Sequence, residues 1–131
     1  MKLLLDTHSL IWHSDSSPLM SPKATMLLND PANDLLLSMA SVWEIAIKVG
    51  MRKLALSVPF VPFLARATTT YQVTVLPITI FDCIAYEQLS FPNPKHRDPF
   101  DRMIITHALR NGFSIVGNDA AFDAYGITRL W

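Results

Sequence analysis

Five acidic residues of the chain could together form one metal site: Asp6, Glu44, Asp98, Asp101 and Asp119. Asp6 and Asp119 each follow a short apolar run that is typical of a buried strand. Carboxylates that share a site repel one another and raise each other's pKa, so a divalent cation would stabilise the group. Ligands that are all oxygen favour Mg²⁺ or Mn²⁺ over zinc. A carboxylate cage of this kind can activate water and stabilise a phosphoryl group during displacement, which indicates phosphodiester hydrolysis.

Each acidic residue also has a local structural explanation. Asp6 and Asp119 could each cap a helix or turn. Glu44 stands four residues before Lys48 and could form an exposed ion pair along a helix. Asp98 could cap the helix that follows it, with the next acid at the third helical position. Local structure explains each residue separately, but it does not predict that all of them converge on one edge of one sheet.

The elements that must position these residues alternate between strands and helices. The predicted strands cover residues 2–5, 35–38, 71–77, 113–116 and, at the edge, 128–130. The predicted helices cover residues 7–12, 22–28, 40–49, 58–71, 82–89 and 98–110, with Gly50 and Gly112 as helix-ending glycines. This alternation predicts an α/β fold with a mostly parallel sheet and helices on both faces. Such sheets bind ligands beyond the carboxyl ends of their strands, where the acidic residues fall.

Composition limits the class of protein. The 131 residues are 50% apolar and 17% charged, which suits one domain over residues 1–131. Eleven basic and eleven acidic residues give a net charge of zero, so any site for a polyanion must be local. A single cysteine, Cys83, excludes an internal disulfide and predicts a reducing, cytoplasmic location. The apolar runs fall far short of the roughly 20 residues that span a membrane.

Basic residues near the acidic ones are candidates for binding RNA phosphates on either side of a scissile bond. They are Lys48, Arg52, Lys95, Arg97 and Arg102.

Four segments resemble, in order and spacing, those of the PIN-domain family: LLLDTHSLIW, SVWEIAIKVG, RDPFDRMIITHAL and IVGNDAAFDAYGITRLW. The likeness covers essentially the whole chain and is greatest to bacterial ribonuclease toxins of the VapC type, from toxin–antitoxin pairs. It implies a three-layer α/β/α sandwich with a sheet of four to five strands. It also implies an endoribonuclease that depends on Mg²⁺ or Mn²⁺, inhibited by a small antitoxin that inserts a segment into the groove. The resemblance further implies that the protein forms a homodimer and a complex with its antitoxin.

The resemblance also assigns the catalytic and metal-binding residues by position. The first family Asp falls on Asp6, the Glu on Glu44, the late-helix Asp on Asp101 with Asp98 beside it, and the last Asp on Asp119. The family often has Ser or Thr two residues before that last Asp, where this chain has Gly117.

Two other functions remain open. The segment LLLDT faintly resembles haloacid-dehalogenase-type phosphatases, in which Asp6 would be the nucleophile. Those enzymes require a second Asp two residues later, and this chain has His8 there. A non-catalytic module that binds a basic peptide along the acidic rim is the third possibility. Metal-dependent cleavage of structured RNA distinguishes the nuclease from both.

Overall fold

Five parallel strands form the centre of the protein, described here for residues 1–131 from a computed structural model. The strands are β1 (Lys2–Leu5), β2 (Asp34–Ser38), β3 (Thr74–Leu76), β4 (Ser114–Val116) and β5 (Arg129–Leu130). Their order across the sheet is β3-β2-β1-β4-β5, and every neighbouring pair is parallel. The prediction of a parallel α/β sheet is confirmed, and β1 lies in the middle of it.

Six α-helices connect the strands. They are α1 (Thr7–Ser14), α2 (Pro22–Asn29), α3 (Met39–Gly50), α4 (Phe60–Ala65), α5 (Ile80–Glu87) and α6 (Pro99–Asn111). A π-helical turn (Arg66–Thr70) continues α4, and a 3₁₀ helix (Ala120–Tyr125) precedes β5. None of the helices is long and apolar enough to cross a membrane.

Two predicted elements differ from the structure at one end: the third strand begins later, and α3 ends differently. The predicted strand over residues 71–77 is reduced to β3. The N–H groups of Tyr71 and Val73 donate to the carbonyls of Arg66 and Ala67 in the preceding π-helical turn instead of to a strand. Gly50 does not end α3 as a left-handed residue. It is the last residue of the helix, and Met51 caps it.

The sheet separates two apolar cores, so the protein has three layers as expected. On one face, Leu3 and Leu5 pack against residues of α1, α3 and α4, including Leu10, Ile45 and Phe63. Leu4 faces the other way and packs with Ile104, Ile105 and Phe122. Because Leu3, Leu4 and Leu5 are all fully buried, β1 is held from both sides. The residue that follows it therefore has a fixed position at the carboxyl edge of the sheet.

Candidate metal centre

A polar cleft of about 380 Å³ opens at the carboxyl edge of the sheet. None of its nine lining residues is hydrophobic; they are Asp6, Thr7, His8, Glu44, Lys48, Asp98, Asp101, Asn118 and Asp119. The structure therefore brings together all five acidic residues singled out in the sequence. A larger hollow of about 510 Å³ lies elsewhere, beside Lys2 and Asp34 at the amino ends of β1 and β2, and contains no comparable acidic group.

Asp6 is one of the two buried carboxylates of the cleft, with Glu44. Its N–H donates to the Val116 carbonyl of β4 at 2.9 Å. Its Oδ1 accepts from the N–H of Thr7 at 2.8 Å, and the residue is only 6% exposed. Burial raises the pKa of Asp6 to about 6, the Thr7 hydrogen bond opposes that rise, and the nearby carboxylates of Glu44 and Asp119 add to it. Asp6 is thus held where its negative charge is poorly solvated.

Glu44 enters the cleft from α3 and is 4% exposed. The Thr7 hydroxyl donates to its Oε1 at 2.8 Å, and the Ser41 hydroxyl lies 2.9 Å from that of Thr7. Lys48 Nζ lies 2.6 Å from Oε2, a hydrogen bond that raises the pKa of Lys48. The ion pair between Glu44 and Lys48 that their four-residue spacing suggests is present, but Glu44 is buried rather than exposed. Lys48 is consequently a cation fixed inside the cleft.

Asp98 and Asp101 lie at the beginning of α6. Asp98 Oδ1 accepts from the Asp101 N–H at 2.9 Å, so Asp98 is the N-cap residue. Asp101 is partly buried, and burial raises its pKa to about 6. A hydrogen bond from His96 opposes the rise, whereas Asp98 and Asp6 add to it. The two acids therefore differ: Asp98 is exposed and caps the helix, and Asp101 is desolvated within the cleft.

His96 completes the far side of the site. Its Nε2 lies 3.1 Å from Asp101 Oδ2, and ligand atoms of His96, Asp101 and Asp119 all lie within 4.8 Å of one another. Asp119 is exposed, and its Oδ1 accepts from the N–H of Ala121 at 3.0 Å. Sequence alone does not identify His96 as a partner of the acidic residues, because it lies in a proline-rich loop without periodicity. Its only signal is its position five residues before Asp101.

The five basic residues expected to contact RNA have different environments. Only Lys48 lines the cleft. Arg52, Lys95 and Arg97 are exposed and lie outside the residues that line the cleft. Arg97 Nε donates to the Pro94 carbonyl at 2.8 Å.

Arg102 does not fit the RNA-binding expectation, because it is buried and only 2% exposed. Its guanidinium donates to the carbonyls of Leu89 and Ser90, each at 2.9 Å, and lies 3.6 Å from the centre of the Phe91 ring. The apolar pattern of α6 does not predict that Arg102 is buried. Its burial depends on carbonyls that lie outside α6, at Leu89 and Ser90. Arg102 holds the loop against α6 and is not available to phosphate.

The donor set of the cleft fits a hard divalent cation. It consists of carboxylate oxygens, which Mg²⁺ and Mn²⁺ prefer. Burial, with smaller contributions from neighbouring carboxylates, raises the pKa values of Asp6 and Asp101, so a bound cation would favour their charged forms.

Gly117 is in close contact with Asp6. A Cβ at this position would lie 2.9 Å from Asp6 Cβ and 3.3 Å from its Oδ2. A Ser or Thr here, as in the family pattern, would require Asp6 to move. A side chain at position 117 is therefore incompatible with the present position of Asp6.

Comparisons with known proteins agree with this geometry. No curated protein matches the chain in sequence. VapBC2 from Rickettsia felis, solved bound to a DNA fragment from its promoter, is similar in structure with a TM-score of 0.72 and 14% identity, over 99% of this chain and 98% of that one. VapC20 from Mycobacterium tuberculosis, a Sarcin-Ricin loop cleaving toxin, has a TM-score of 0.72 and 17% identity, over 96% of both chains. FitAcB from Neisseria gonorrhoeae has a TM-score of 0.65 and 18% identity, over 98% of this chain and 96% of that one.

These likenesses establish a shared fold. The sequence model of the PIN domain matches residues 3–127 of the 131, which includes every acidic residue of the cleft. The chain therefore belongs to the PIN domain family.

Proposed function

We propose that this protein is a metal-dependent endoribonuclease and the toxin of a toxin–antitoxin pair. The observation that carries the proposal is the cleft itself, in which five carboxylates meet at one sheet edge with a single lysine. Repulsion among five carboxylates beside one lysine favours the binding of a divalent cation. The structurally similar VapC20, which cleaves the Sarcin-Ricin loop, supports RNA as the substrate.

The residues that would hold the ion are Asp6, Glu44, Asp98, Asp101 and Asp119. A bound Mg²⁺ or Mn²⁺ would lower the pKa of a water molecule and neutralise charge on the phosphate. Thr7 keeps one oxygen of Glu44 in place, and Lys48 holds the other. The Lys48 ammonium is also the only basic side chain, other than His8, that lines the cleft, so we assign it to a non-bridging phosphate oxygen of the RNA.

Arg52, Lys95 and Arg97 remain candidates for more distant phosphates. They are exposed, and their charges are free to contact a backbone that extends beyond the cleft. Contacts of this kind position RNA without reading its sequence.

An apolar surface near the cleft supports the proposal that this protein binds other protein chains. Trp43 is 59% exposed and packs edge-on against Phe100, with ring centroids 5.4 Å apart. Ile80, Phe81 and Ile84 of α5 are also exposed. An apolar hollow of about 260 Å³ lies between α3, α5 and α6. Exposed apolar surface of this kind marks interfaces, so we expect a homodimer and a complex with a small antitoxin.

The test is cleavage of structured RNA by the purified protein with Mg²⁺ or Mn²⁺ and with EDTA. We expect cleavage with either metal, none with EDTA, and a loss of orders of magnitude in Glu44→Gln. Glu87→Gln is the matched control, because Glu87 is exposed on α5 and makes no bond to another side chain.

Three other outcomes would contradict the proposal. Release of phosphate from small esters without RNA cleavage would support the phosphatase, and neither activity would support the peptide-binding module. Cleavage that persists after exhaustive EDTA treatment would contradict the role of the metal.

A further inference from the structure

A line of three hydrogen bonds leads from buried Arg102 to the carboxylate of Asp101. Arg102 Nη1 lies 3.0 Å from the Tyr125 hydroxyl oxygen. That oxygen lies 2.8 Å from His96 Nδ1, and His96 Nε2 lies 3.1 Å from Asp101 Oδ2. The line joins α6, the 3₁₀ helix and the proline-rich loop, and it ends in the cleft.

The chemistry of the groups gives this line one direction. A guanidinium can only donate, so the Tyr125 oxygen accepts from Arg102. If Tyr125 also accepted from His96 Nδ1, a bare Nε2 would face the Asp101 carboxylate, and two acceptors would meet. For a neutral His96 beside a charged Asp101, all three bonds form only when Tyr125 donates to Nδ1 and His96 Nε2–H donates to Asp101.

The first donor is rigid. Arg102 is 2% exposed and also donates to the Leu89 and Ser90 carbonyls, so its guanidinium cannot rotate away from Tyr125 without losing bonds in the interior. The His96 ring is packed against the rings of Phe122 and Tyr125, at centroid distances of 6.0 and 5.5 Å. The line is therefore built from fixed groups.

We propose that Arg102 and Tyr125 fix the tautomer of His96, so that His96 is a positioning residue that orients Asp101 and is not itself a metal ligand. His96 occupies Oδ2 of Asp101, and Oδ1 accepts no hydrogen bond from the protein. This inference rests on the proposed function for the identity of the ion. A histidine that carries its proton on the nitrogen facing the site cannot use that nitrogen as a ligand.

The first test needs no metal. Long-range proton–nitrogen NMR of ¹⁵N-labelled protein in EDTA, at a pH where His96 is neutral, assigns the proton of each imidazole. We expect the His96 proton on Nε2 in the unaltered protein, and a loss of that preference in Tyr125→Phe. A proton on Nδ1 in the unaltered protein overturns the proposal.

The second test measures Mn²⁺ binding by the EPR signal of the free ion, without RNA. Tyr125→Phe keeps the ring but removes the hydroxyl, and we expect Mn²⁺ affinity to fall about 10-fold, as for other partners of metal ligands. His96→Gln keeps an N–H donor and should bind Mn²⁺ more tightly than His96→Ala. Tyr71→Phe is the control, because Tyr71 packs against His13 at 4.7 Å and its hydroxyl makes no hydrogen bond.

The outcomes separate the two proposals. Equal Mn²⁺ affinity in Tyr125→Phe and the unaltered protein overturns the positioning role alone. Loss of binding in both His96 variants with no effect of Tyr125→Phe makes His96 a ligand and also overturns it. No Mn²⁺ binding by the unaltered protein refutes the proposed function, while the NMR result still decides the tautomer.

Discussion

Replacing Gly117, the residue after β4, with Ala tests whether its contact with Asp6 sets the position of the Asp6 carboxylate. The new methyl carbon would lie 2.9 Å from Asp6 Cβ. Carbon atoms prefer separations of about 3.5–4.0 Å, so one of the two must move by roughly 0.6 Å or more. The backbone cannot move freely, because the Asp6 N–H donates to Val116 and the Gly117 N–H donates to Leu130.

The cost follows from this confinement. Adding one methyl group to a well-packed site costs about 1–3 kcal/mol. The lower chain entropy of Ala in the unfolded state offsets about 0.5–1 kcal/mol of that. We therefore expect Gly117→Ala to lose up to about 2.5 kcal/mol of the free energy of unfolding and up to roughly 10 °C of Tm. If Asp6 moves to relieve the contact, the rate of RNA cleavage should fall about 10- to 100-fold.

The assay compares Tm and the metal-dependent cleavage rate of Gly117→Ala and Gly50→Ala. Gly50 lies in the last turn of α3, and a Cβ there would meet nothing within 4 Å. The control should therefore keep its activity and gain up to about 1 kcal/mol of stability. Gly117→Ser should lose activity as Ala does, despite its hydroxyl. A Gly117→Ala protein as stable and active as the unaltered one would refute the steric argument.

Three further predictions concern the carboxylates themselves. Asp6→Asn should raise the free energy of unfolding in EDTA by up to about 3 kcal/mol at neutral pH, because it removes the charge of a buried carboxylate whose pKa is about 6. The same variant should lose most of its cleavage activity. A lower Tm would instead show that the capping role of Asp6 dominates. Asp98→Ala should lower the free energy of unfolding by about 1 kcal/mol more than Asp101→Ala does, and so lower Tm further. Asp101→Asn should lower cleavage more than Asp98→Asn, and the opposite order of cleavage rates would move the ligand to Asp98. Finally, the stability that Asp6→Asn gains over the unaltered protein in EDTA should grow between about pH 4 and pH 6. The pKa of Asp6 is higher in the folded than in the unfolded protein, so folding disfavours the charged carboxylate that forms over this range. Urea unfolding curves that show a pH-independent difference would contradict this.

The positions of Asp6 and Glu44 could be predicted because regular elements place them. An apolar run that is buried on both faces ends at Asp6, and the helical spacing of α3 turns Glu44 toward the same edge. The boundaries of α6 were predictable for the same reason, since Asp98 and Pro99 are strong start signals and Gly112 ends the helix with a φ of 70°.

His96 and Arg102 could not be placed from the sequence, because long-range contacts decide their environments. His96 is held by Tyr125, which is 29 residues away in the chain. Arg102 is stabilised inside the protein by carbonyls 12 and 13 residues before it. Residue type predicts an exposed arginine, and only the three-dimensional arrangement of the loop supplies enough acceptors to bury one.

The distribution of charge, rather than its total, makes the cleft suitable for a cation. The net charge is zero, yet five of the eleven acidic residues line one cleft. No arginine lines the cleft, and three of the chain's arginines bind other groups: Arg110 pairs with Asp82, Arg129 with Asp123, and Arg102 with backbone carbonyls. Raised pKa values such as those of Asp6 and Asp101 are common at functional sites. An ion that binds the folded cleft and not the unfolded chain should therefore stabilise the protein as well as supply its chemistry.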